Sequence, residues 1–339
     1  MENIKLVKKC VFLLVLVFIV SSLCLAIKAN AMENYYFSRI IGGPGSGLGQ
    51  FENPQHVAVD KSGNVYVIDV GKTPYIQKFT SDGTLSASWG SFGSGQSQFK
   101  APPTDIAVDA SGNVFVVDSG NDRIQKFSSD GTFIKSWGSK GPGPVQFNSP
   151  SHIATGPSGN VYVADGGNHR IQKFNSGGGF LATYNIGGPG TSSIAVDSVG
   201  NIYETSDLLR KYNSAGKLLY FKGIGATHVA ADSVGNIYVT RRDYVDDLNY
   251  NHIIKISGSD GVTLIAEFGK WGSGNGQVRS PYATAVDPAG YFVYVSDDGG
   301  NNRVQVFTRK AITSIELRQK LKQKFPLHTV EEKQPTPIP

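Results

Sequence analysis

Along the chain, short apolar runs alternate with turns rich in glycine, asparagine and aspartate, and one pattern recurs. It reads VAVDKSGNVYV from Val57, IAVDASGNVFV from Ile106 and IATGPSGNVYV from Ile153. It continues as IAVDSVGNIYE from Ile194, VAADSVGNIYV from Val229 and, more loosely, TAVDPAGYFVYV from Thr284. In each copy V-A-V-D predicts a short strand, and the glycine and asparagine of the next turn accept positive φ. The alternating N-V-Y-V predicts a second strand. I-Q-K-F, at 76–79, 124–127 and 171–174, predicts a third with apolar ends and a polar middle. A turn such as S-D-G then leads to a fourth, ending at Trp89-Gly90 or Trp137-Gly138.

Taking Asp60, Asp109, Gly156, Asp197, Asp232 and Asp287 as equivalent, the copies are spaced by 49, 47, 41, 35 and 55 residues. Such steps suit four-stranded units joined by variable loops. One antiparallel meander cannot cover both of its faces alone, so six must stack around an axis. The expected fold is all-β, a six-bladed β-propeller of four-stranded blades. RIIGGPGSGLGQFENP (39–54) matches KSWGSKGPGPVQFNSP (135–150), so residues near 37–41 form a fourth strand with no blade ahead of them. The last copy stops after its third strand, near Val304, and the N-terminal strand is expected to complete it.

Three copies carry a longer phrase: VFVVDSGNDRIQKF (114–127), VYVADGGNHRIQKF (161–174) and VYVSDDGGNNRVQVF (293–307). With its glycine turn, Y-V-x-D, G-N-x-R loop and I-Q-x-F, this resembles the NHL-repeat family over about residues 36–308. The resemblance implies a propeller used for recognition. The first copy departs after Asp69, the fourth has a shortened loop after Thr205, and the fifth carries the insert RRDYVDDLNYNH after Thr240.

The ends differ from this body. Lys5, Lys8 and Lys9 precede the apolar run 11–20, and Ala29-Asn30-Ala31 is an A-x-A cleavage site. Residues 1–31 therefore read as a signal peptide and Met32 as the mature start, the competing reading being an uncleaved membrane anchor. Either way the chain is expected outside the cell or on its surface. Both cysteines, Cys10 and Cys24, fall in this segment. Beyond the propeller (32–308), Thr313 and Glu316 form a capping box that predicts a basic helix over 314–325, and Pro326 stops it. The remainder of the 309–339 tail is proline-rich and expected to be disordered.

Those ends hold the charge. The chain carries +5, but residues 1–31 have four lysines against one glutamate and 309–339 have seven Lys/Arg against three Glu, leaving −2 for the propeller. Nucleic-acid binding calls for clustered cations, so it is not expected here.

Strand parity puts the blade connections and the second-to-third strand loops on one face, where variable loops on a rigid scaffold place binding. The pairs Asp118–Arg123, Asp165–Arg170 and Asp297–Arg303 recur at one position on this face, which predicts a structural loop clasp. The residue before each first strand differs from blade to blade: His56, Asp105, His152, Ser193, His228 and Ala283. These form the candidate binding ring at the channel mouth. His56, His152 and His228 fall in alternate copies, roughly 120° apart, and three neutral imidazoles with a water are a catalytic zinc arrangement. Peptidyl-hydroxyglycine lyase, which resembles this fold, binds zinc through histidines at the tops of inner strands, and streptogramin lyase also uses histidines there. Those histidines directly follow a proline; here one residue intervenes, as in Pro54-Gln55-His56 and Pro150-Ser151-His152. The alternative to a metal is that the ring caps the channel by bonding loop backbone. Calcium in the acidic insert (Asp243, Asp246, Asp247) lacks the spacing of a helix–loop–helix calcium site.

The sequence thus predicts a monomeric scaffold without a cofactor, binding a protein, peptide or glycan on its loop-rich face. A metal-dependent lyase or hydrolase is the alternative.

Overall fold

A computed structural model of the protein describes residues 33–185, 191–206, 208–241, 251–261 and 263–310. The signal segment, the acidic insert and the C-terminal helix lie outside the described residues. Six antiparallel four-stranded blades follow one another. Blade 1, for instance, is Pro54–Val59, Val65–Asp69, Ile76–Phe79 and Leu85–Trp89. Blades 2 to 5 repeat this order at 105–137, 150–184, 193–222 and 226–271. Blade 6 takes three strands from Pro281–Val286, Phe292–Asp297 and Arg303–Arg309, and its outermost strand is Tyr35–Ile41. Tyr35 lies opposite Arg309 and Ile41 opposite Val304. Among the described residues helix is confined to three 3-10 turns.

The second strands show why the repeat reads V-Y-V rather than apolar–polar. Val65 and Val67 pack against Tyr294, Val304 and Val306 of blade 6, while Tyr66 and Ile68 pack against Ile106, Val114 and Val116 of blade 2. Both faces of the strand are buried, so apolar and aromatic side chains recur on both. Six such clusters fill the six boundaries between blades.

The polar residues of I-Q-K-F have separate tasks. The lysine ammonium sits over the aromatic ring of the second strand, Lys78 over Tyr66 at 5.4 Å and Lys173 over Tyr162 at 5.2 Å. The buried glutamine holds the glycine-rich connection: Gln77 Nε2 donates to Gln50 O (2.9 Å) and its Oε1 accepts from Gly49 N (2.7 Å). On the opposite face Asp60 Oδ1 accepts from Ser62 N and Asn64 N, and Gly63 turns the chain at φ 79°.

Candidate binding site at the channel mouth

The recurrent Asp–Arg pairs join loops. Asp165 is wholly buried; it accepts from Arg170 Nε (2.8 Å), Gln172 Nε2 (3.2 Å) and Asn148 N (2.7 Å). Arg170 also donates to three carbonyls of the preceding connection, those of Pro142, Gly143 and Gln146. Asp118–Arg123 (2.7 Å) and Asp297–Arg303 (3.3 Å) repeat the arrangement. In blade 1 Lys72 stands in, donating to Gly47 O and Gln50 O with Asp69 at 3.9 Å. Blade 4 moves the ion pair inward, to Glu204 and Arg210 at 3.0 Å. The Asp–Arg clasps of blades 2, 3 and 6 are thus engaged within the fold.

The ring residues behave differently. His56, His152 and His228 stand opposite Ile68, Ala164 and Thr240 on their second strands. In each of these blades the ladder slips by one residue just before the histidine, at Gln55, Ser151 and Thr227. Such a bulge re-aims the following side chain, and in blades 1 and 3 it absorbs the residue that separates proline from histidine. The rings converge: His56 lies 5.9 Å from His152, 6.2 Å from His228 and 5.0 Å from the ring of Tyr282.

Asp105 organises this cluster. Its carboxylate accepts from Ile106 N (2.8 Å) and, across the blade boundary, from Ile153 N (3.0 Å). His56 Nδ1 approaches it at 3.1 Å, somewhat off the ideal donor line. Burial alone would raise the Asp105 carboxyl, but the imidazole of His56 close beside it, aided by those of His152 and His228, holds it at about 2. Burial pushes His152 down to about 4 and His228 to about 3 against the pull of Asp105, with His56 adding to the fall. Both imidazoles are therefore neutral at neutral pH.

The ring also caps backbone. Ser193 Oγ accepts from Val229 N (3.3 Å) and His228 Nδ1 from Thr284 N (3.3 Å), each across a blade boundary. His152 departs from this, since its Nδ1 is buried without a hydrogen-bond partner.

A metal was tested against these groups. One ligand atom each from His56, Asp105 and His228 lies within 4.8 Å of the others, and His152 is outside that set. Because His228 Nδ1 accepts an amide proton, its Nε2 carries the ring hydrogen and has no lone pair to offer. A metal-bound histidine instead donates its second nitrogen to an acceptor. The residues as placed do not suit a three-imidazole zinc centre.

Three cavities meet the cluster. One of about 400 Å³ opens from the turn side and reaches Asp105 and His228. On the loop side, one of about 280 Å³ is lined by His152, Ser192, Thr227, His228 and Tyr282. Another of about 360 Å³ is lined by Gln55, His56, Ser151, His152 and Tyr282 with Val70, Pro102, Pro103 and Thr104. Tyr282, Ser192 and Thr227 are the site residues that the sequence reading passed over. Their signal was positional, one residue before each ring member.

The fold is that of a six-bladed β-propeller built from four-stranded blades. Residues 103–127 and 147–174, in blades 2 and 3, match the family model described as NHL repeat, so the chain is a propeller carrying NHL repeats. No curated protein sequence matches the chain. Among solved structures it is similar to virginiamycin B lyase from Staphylococcus aureus, with 15% identity and a TM-score of 0.56 over 81% of this chain and 99% of that one. A streptogramin B lyase structure matches with 15% identity and a TM-score of 0.54 over 82% and 98%. A catalytically inactive histidine-to-alanine variant of the S. aureus lyase with quinupristin gives 13%, 0.54, 81% and 99%. At these identities the likeness is one of fold.

Proposed function

We propose that this chain is an exported recognition propeller that binds a protein, peptide or glycan on its loop-rich face, with the channel mouth as the contact point. One observation carries the reading: His56, His152, His228 and Tyr282 converge on that face, whereas the recurring Asp–Arg pairs are occupied in clasps. Fold likeness alone does not transmit an activity, since propellers host many. Hydrogen-exchange footprinting of the chain with fractionated cell-envelope material tests it. Protection is expected at 54–56, 150–152 and 226–228; protection confined to the opposite turns, 61–63 and 110–112, would sink the reading.

A metal-dependent lyase or hydrolase is the second reading, and the His56–Asp105 pair favours it. A carboxylate on Nδ1–H leaves Nε2 with its lone pair, the form of a general base. Elemental analysis after dialysis against a weak chelator separates the two. About one zinc per chain, lost in His56→Ala, would establish the metal site; the tautomer of His228 leads us to expect none.

A further inference from the structure

Just on the loop side of the histidine ring lies a second ring, one residue earlier in each blade: Gln55, Thr104, Ser151, Ser192, Thr227 and Tyr282. Five of these carry a hydroxyl, the sixth an amide, and none is charged. All six line the two loop-side cavities, and because Tyr282 and His152 line both, the cavities are two lobes of one site.

The lobes differ in chemistry. The larger has an apolar wall of Val70, Pro102 and Pro103 facing the polar groups of Gln55, Ser151 and His152. The smaller is lined only by hydroxyl and imidazole side chains. Two buried atoms of the site, Ser151 Oγ and His152 Nδ1, have no hydrogen-bond partner in the fold, and a third, His56 Nδ1, has only its misaligned approach to Asp105. Buried polar atoms left so are costly unless a ligand or water meets them. Thr227 Oγ1 gives its proton to Thr240 O (3.1 Å) and Thr104 Oγ1 gives its own to Pro150 O (3.5 Å), so both hydroxyls present lone pairs to a ligand. The site asks for a molecule rich in hydroxyl donors, without charge, and apolar on one side.

We propose that this two-lobed mouth binds a neutral carbohydrate, one sugar ring lying against Pro102 and Pro103 with its hydroxyls toward Ser151 and His152, and the next reaching Ser192 and Thr227. The proposal rests on the channel mouth being the recognition site and names its ligand. No lysine or arginine lines either lobe, so an anion would find no fixed positive charge there. A peptide could supply amide donors but not the paired vicinal hydroxyls that match a ring of alternating side chains.

Saturation-transfer NMR and calorimetry on the full chain test this with cellobiose, maltose, mannobiose and chitobiose. Glucuronate-containing and glucosamine disaccharides, and capped neutral peptides, serve as competitors. At least one neutral sugar should bind, and Ser151→Ala and Tyr282→Phe should each weaken it by about tenfold with an unchanged melting midpoint. Lys222→Ala, on an outer strand, should leave binding as it was. If only charged sugars or peptides bind, and Ser151→Ala weakens them, the carbohydrate assignment is overturned while the channel-mouth reading stands. If neutral sugars bind indifferently to both variants, or none of the probes binds, the carbohydrate proposal falls. The footprint described above then decides the broader reading on its own.

Discussion

His56 of blade 1 and Asp105 of blade 2 meet at 3.1 Å across a blade boundary, both almost wholly buried. The ionised carboxylate sits where three imidazoles face one another. It is anchored by the amide of Ile153 in blade 3, so one side chain ties three blades together at the mouth of the channel.

The pH dependence of stability follows from this group. His152 and His228 stay neutral in the fold down to about 4 and 3, whereas in the unfolded chain each takes up a proton near about 6.5. As pH falls from about 6.5 toward 4 the unfolded state binds more protons, so stability drops, by at most about 1.4 kcal/mol per pH unit for each histidine. Asp105, held at about 2, stabilises the fold above about 3.9, a contribution lost as pH falls toward 2. The groups facing this site are His56, Asp105, His152, His228 and Tyr282. Urea midpoints at pH 7, 5.5 and 4.5 should fall in order, and His152→Gln with His228→Gln should flatten the decline. A level profile in the native chain would mean that these imidazoles are not held neutral.

Removing Arg170 leaves the buried Asp165 carboxylate without its cation and the Pro142 carbonyl without its donor, while the Gly143 and Gln146 carbonyls keep those of Gln146 N and Gln172 Nε2. Arg170→Ala should cost on the order of 3 kcal/mol. Lys72→Ala should cost about 1 kcal/mol, because its ammonium is 3.9 Å from Asp69 and that carboxylate keeps the amides of Glu52 and Asn53. Equal losses in denaturant titrations would contradict the view that the pair, rather than the loop, carries the stability.

Deleting residues 33–41 strips the outer strand from blade 6 and bares the edge of Arg303–Arg309. It also removes Glu33, which holds Lys255 (2.8 Å) and Arg309 (3.1 Å). A bare edge pairs with other chains, so the truncated protein should melt earlier and scatter light in proportion to its concentration. The milder Tyr35→Phe loses the bonds to Gly290 O (2.7 Å) and Tyr238 (3.0 Å) and should cost about 1–3 kcal/mol. A truncated chain that stays monomeric with an unchanged midpoint would refute this account of the strand.

The blades were legible because a strand buried on both faces has to repeat its apolar residues, and six repeats betray themselves at any loop length. The candidate ring was legible as the one position that varies beside a constant core. Its geometry was not, because the bulges at Gln55, Ser151 and Thr227 add a residue without leaving a mark that spacing can show. Tyr282 hid in the loosest copy. Lys72 and the Glu204–Arg210 pair hid because their loops lack the D-x-G-N-x-R phrase, although Lys72 ties its blade to the preceding connection as the arginines do.

Among the described residues, every cluster of buried apolar side chains in this ring is shared between two neighbouring blades, and none belongs to one blade alone. A blade is thus half of two cores and the whole of none. An intermediate with five blades in place would bury four of the six shared cores and still expose two raw apolar walls, one at each end of the gap. Assembly should accordingly be decided when the sixth blade enters that gap and covers both walls at once.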